Sequence, residues 1–144
     1  MTTESNSNDV VSNYYDEYKQ NQEYILKLES RKVRNSIFIV AALLFGSEFL
    51  GLMMANLVTV TNTLASAIIP LILVGIGFLA LRLPLLAIIL ATLVFAGLIV
   101  LTIVLLGGAG AISGLLVKAI VIYFLVAGFQ SARQAELARK EVKA

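Results

Sequence analysis

The chain reads as an all-α membrane protein: four transmembrane helices in an antiparallel bundle, both termini cytoplasmic, with a cytosolic amphipathic N-terminal helix and a helical C-terminal extension. Three observations point there. Of 144 residues, 59% are hydrophobic and only 14% charged, more apolar surface than a soluble domain of this size can hide. From Ser36 to Gln130 the only charged residues are Glu48, Arg82 and Lys118. That stretch holds four segments of about 20 apolar residues, the length that crosses a hydrocarbon core of about 30 Å. The flanking basic residues are also one-sided. Arg31, Lys32 and Arg34 precede the first segment, Arg82 separates the second from the third, and Arg133, Arg139, Lys140 and Lys143 follow the fourth. The connections 59–63 and 107–110 carry neither Lys nor Arg, so the positive-inside rule puts both termini in the cytoplasm.

Residues 1–13 are rich in Ser, Thr and Asn and poor in apolar groups, the composition of a disordered tail. Residues 14–34 change character. Val11, Tyr14, Tyr18, Ile25 and Leu28 fall on one arc at 100° per residue, which predicts an amphipathic helix. Glu23 precedes Lys27 by four residues, a helical ion pair worth about 0.3 kcal/mol. This helix either lies in the headgroup layer with its tyrosines at the interface or packs on another cytosolic segment.

The membrane domain covers residues 35–130. Its first span, 36–58, carries Glu48. The linker 59–63 (TVTNT) is short and polar, and the second span, 64–82, is interrupted by Pro70, where a bend is expected. Gly75 and Gly77 invite close approach by a neighbour. Arg82-Leu83-Pro84 must be a hairpin, because an unbroken helix through it would be about twice the membrane thickness. Proline disfavours helix at Leu83 and suits the first position of the next helix. The third span is 84–106, the fourth 111–130, and glycines 107, 108 and 110 turn the chain between them. The tail, 131–144, is rich in good helix formers and continues the fourth helix into the cytosol.

The candidate functional residues are the charges inside the spans. Glu48 stands about 18 Å from the start of its helix, where a charge costs about 3 kcal/mol. Its face also carries Ala41, Leu44, Gly51, Leu52, Ala55 and Thr59, so it should look into the bundle. Lys118 lies at a comparable depth on the fourth span, with Gly114 on its face. The two either pair, or Lys118 snorkels to the surface while a protonated Glu48 donates to a backbone carbonyl or to Asn56. Gly110 and Gly114 have GxxxG spacing, but turn formation accounts for them.

Neither Cys nor His occurs. Disulfides, thiolate or imidazole metal sites, cysteine nucleophiles and histidine acid–base chemistry are therefore excluded. No Walker loop, HExxH or GxSxG pattern is present, so neither a cofactor nor an enzymatic role is expected. The basic tail is interspersed with Glu and does not suit nucleic acid. One acid in the first of four short spans, Ser47-Glu48-Phe49, resembles the essential Glu of the small multidrug resistance transporters. The polar N-terminal stretch, the lack of Trp and Lys118 depart from that pattern, and the resemblance is confined to Glu48.

The expected function is a non-catalytic structural or accessory subunit that associates through its helices. The alternative is a small oligomeric proton- or cation-coupled transporter or channel using Glu48. The expected partners are the lipid bilayer and either a second copy or another membrane protein. Compact loops suit a prokaryotic inner membrane.

Overall fold

The computed structural model of the chain describes residues 4–106 and 114–143. These form four helices and no strand: α1 (Glu4–Met54), α2 (Val60–Leu79), α3 (Pro84–Leu106) and α4 (Leu115–Lys143). All four are long and apolar enough to cross a membrane. The glycine turn 107–110 and the first residues of the expected fourth span lie outside the described residues.

The main departure from the sequence reading is α1. In place of a tail, a separate surface helix and a span, one helix of 51 residues runs from Glu4 to Met54, about 75 Å at 1.5 Å per residue. The physical reason is local: from Glu4 to Phe45 the chain contains neither Gly nor Pro, so nothing interrupts the hydrogen-bond ladder where the composition turns apolar. The helix ends four residues before the expected boundary of the first span. Asn56 adopts a left-handed conformation (φ 54°), and the amide of Leu57 bonds the Leu52 carbonyl (3.0 Å) while that of Asn56 bonds Met53 (3.2 Å). This is the two-bond C-terminal cap that closes many helices.

The expected linker 59–63 is mostly helix. Thr59 is the N-cap of α2, its hydroxyl accepting from the Asn62 amide at 3.3 Å, so α2 starts at Val60. Pro70 lies inside α2 and is buried. The expected hairpin forms as read: Arg82 and Leu83 amides bond the Leu79 carbonyl, and Pro84 opens α3. The fourth helix runs without a break from Leu115 to Lys143.

Helix α1 packs against α2 and most extensively against α4, and α3 closes the bundle against α2 and α4. The α1–α4 pair is antiparallel. Tyr18, near the start of α1, donates to Glu141 Oε2 near the end of α4 (2.7 Å). Its seam follows a 3–4 spacing on both sides. Ser30, Val33, Ile37, Val40 and Leu44 are buried on α1, and Val121, Leu125, Gly128, Ala132 and Ala135 on α4. Small residues on α4 let the two backbones approach closely. A Cβ at Gly128 would stand 2.8 Å from Ile88 Cδ1 and 3.3 Å from Ser36 Cβ, so three helices converge there. At Gly77 the same test meets the Phe38 ring, with Cδ1 at 2.7 Å. Gly75, by contrast, is exposed and has nothing near it, so only one of the two α2 glycines serves a close approach. Phe38 also meets Phe78 edge-on (5.5 Å) and lies under the Arg34 guanidinium (5.8 Å).

The buried core is one-sided. It extends along α1 to Leu44, along α3 to Phe95, and begins at Pro70 on α2 and Val121 on α4. Among the described residues the half nearer Arg34, Arg82 and Arg133 is close-packed and the far half holds few buried side chains. The stripe Val11, Tyr14, Tyr18, Ile25 and Leu28 remains 39–73% exposed, because α4 covers a different face of α1.

Candidate functional site

Glu48 and Lys118 sit in the far half, where α1, α3 and α4 leave a pocket of about 390 Å³. Its wall is Leu44, Ser47, Glu48, Phe95, Leu98, Thr102, Gly114, Val117 and Lys118. Each position follows from its helix. Leu44 is the last buried residue of the α1 seam, and Ser47 and Glu48, one turn on, come where α4 no longer fills the space. Both charged side chains are half-buried. Lys118 stands at the beginning of α4, its amide bonded to the Gly114 carbonyl (2.9 Å). Gly114 has φ +66°, a conformation that suits glycine at this turn. A cation at a helix N-terminus opposes the helix dipole, so the position of Lys118 favours a carboxylate in the same pocket.

Two hydroxyls complete the wall, and sequence reading did not assign them there. Ser47 Oγ donates to the Leu44 carbonyl (2.9 Å) and Thr102 Oγ1 to the Leu98 carbonyl (2.7 Å). With their protons committed to the backbone, both oxygens present lone pairs, as does the Glu48 carboxylate. The pocket thus combines three acceptor groups with one ammonium. Such a set attracts protons or cations.

Asn56 does not belong to this site. It is exposed, lies two turns beyond Glu48, and its backbone closes α1. Gly51 and Ala55, expected beside Glu48 at a helix contact, are exposed as well; Ala41 and Leu44 are the buried members of that face.

Comparison with known protein families, curated proteins and solved structures finds no match. Function therefore rests on the chain itself. Among the described residues no three His, Cys, Asp or Glu side chains gather to hold a metal ion. A second polar group missed by sequence reading lies on the α1–α4 seam. Glu29 is buried and bonds Lys32 Nζ at 2.5 Å, while the adjacent Ser30 Oγ is buried with no hydrogen-bond partner. Neither residue lies on the apolar arc of Val11, Tyr14, Tyr18, Ile25 and Leu28, so their burial is evident only once the seam is known.

Proposed function

We propose that this chain is a non-catalytic accessory or structural subunit of a membrane, with both termini cytoplasmic, whose cytoplasmic helix pair presents a docking surface for an assembly. The observation that carries this reading is the unbroken α1. A helix that continues from a span into a projecting rod transmits position rigidly, and its water-side segment exposes Val11, Tyr14, Tyr18, Ile25 and Leu28. The close-packed half of the bundle lies at the base of that rod, where a rigid support is needed. Reconstituted into liposomes, the purified chain should pass neither protons nor alkali cations above the level of empty vesicles. Extracted in mild detergent, it should run as an assembly that shrinks when residues 4–25 are removed. Flux that depends on Glu48 would overturn the proposal.

The pocket favours a second reading, a small cation- or proton-coupled carrier. Glu48 and Lys118 share one cavity with two oriented hydroxyls. In that case a cation or proton competes with Lys118 for the carboxylate. Glu48→Gln keeps the shape and hydrogen bonding but cannot titrate, so it would abolish flux in a folded protein.

A further inference from the structure

We propose that the exposed stripe of α1 is the interface of a parallel homodimer, closed by a two-stranded coiled coil between the α1 helices of two copies. This goes beyond the accessory-subunit reading and does not depend on it, since a dimeric carrier would use the same surface.

The stripe needs a protein cover because the other candidates do not bury it. Helix α1 is continuous through its span, so its first thirty or so residues rise from the membrane by about 45 Å. Lipid headgroups cannot cover Val11 to Tyr18 at that height. The chain's own α4 meets the stripe at Tyr18, whose hydroxyl donates to Glu141, but lies mainly along Ser30, Val33 and Ile37, a quarter-turn away, and leaves the stripe 39–73% exposed. Apolar side chains spaced along one face in water are the pattern that a partner helix buries.

The spacing names the partner. Val11, Tyr14, Tyr18, Asn21, Ile25, Leu28, Lys32, Asn35 and Ile39 follow each other at intervals of three and four, the a and d positions of a heptad sustained over four repeats. Two copies inserted in one membrane have the same orientation, so their α1 helices can only be parallel, and this register then matches itself. Charge agrees. In a parallel pair each g residue meets an e residue of the next heptad on the partner helix. Those pairs are Glu17 with Gln22, Tyr24 with Glu29 and Arg31 with Ser36, none of them like-charged. Lys32, at an a position, already has the Glu29 carboxylate on its ammonium. Asn21 is a polar residue between the apolar layers of Tyr18 and Ile25, the device that fixes register and strand number at some cost in stability.

An independent feature continues the same register into the apolar segment. Ala42 and Gly46 stand four apart, and a Cβ added at Gly46 would meet nothing within 4 Å inside the chain. A small-xxx-small pair facing away from its own bundle is the usual contact of two spans.

The chain has no cysteine, so single-cysteine cross-linking needs no background removal. In native membranes, oxidation should give rapid covalent dimers for Tyr14→Cys and Ile25→Cys, at d and a, and slow ones for Asp16→Cys and Glu23→Cys, at f. All four positions are exposed, so folding is not at risk. In nanodiscs, single-molecule photobleaching should count two copies, and Ile25→Asp should weaken the dimer about tenfold or more. Equal cross-linking at a, d and f positions, or a single copy per nanodisc, would overturn the proposal. In the latter case the stripe belongs to a different protein.

Discussion

At Asn56 the backbone takes φ 54°, a region that costs most L-residues about 1–2 kcal/mol and that Asn and Gly tolerate. Asn56→Val should therefore lower thermal stability in detergent by an amount of that order, while Asn56→Gly should be neutral or slightly stabilising. An equal effect of the two would remove the cap from the account. Tyr18 gives a pH prediction. Donation to the Glu141 carboxylate holds its hydroxyl protonated above the ordinary range, with desolvation adding to the shift. The folded-state value is raised, so the contact is fully present below the unfolded tyrosine value of about 10 and is lost as pH rises through the folded one. The protection of amides at the end of α4, taken relative to their intrinsic base-catalysed rates, should fall above that pH in the wild type and stay unchanged in Tyr18→Phe. Gly128 is the tightest position of the seam. Gly128→Leu should destabilise by about 1–3 kcal/mol or more through overpacking, whereas Gly75→Leu, in open space, should not. What the sequence made legible at this scale was chemistry, not neighbours. Glu48 and Lys118 were readable as the charges of the spans, and the pocket brings them together. Asn56 lies outside the pocket lining, at the cap of α1, because spacing along a helix does not reveal where the helix ends.

At the scale of elements, the hairpin before Pro84 was legible and the continuity of α1 was not. The start of α3 follows from Pro84, a residue that acts on the backbone directly. The expected division of α1 came instead from a change in composition, and composition alone does not break a helix. The start of α2 was missed because Thr59 looked like linker polarity, although Thr is also a good N-cap. The α1–α4 seam was invisible for another reason. Inside a membrane the lipid-facing side is as apolar as the core, so no periodicity marks the buried face; only the small residues of α4 betray it. Thr59→Ala should lower stability by about 0.5–2 kcal/mol, measured by thermal unfolding. Disulfide trapping tests the seam itself. Ser36→Cys with Gly128→Cys should close spontaneously, because the two Cβ positions lie 3.3 Å apart, and failure to close under oxidation would contradict the packing.

On the scale of the whole molecule, a close-packed half supports a rod and the far half holds two charges. If Glu48 and Lys118 act on each other across their pocket, the double variant Glu48→Gln/Lys118→Gln should be more stable than the sum of the single losses predicts, by about 0.5 kcal/mol or more. Strict additivity would make them independent. The central claim is that α1 is one helix running from the bilayer into water, and spin labels test it most directly. Nitroxides placed singly at Tyr14, Ile25 and Leu50 in liposomes report water and lipid through collision with a polar nickel complex and with oxygen. Labels at Tyr14 and Ile25 should show no headgroup or lipid depth, being either open to nickel or shielded from both reagents by a partner helix, while the label at Leu50 should collide with oxygen. A lipid-depth signal at Tyr14 and Ile25 would mean that the helix breaks and lies on the membrane surface.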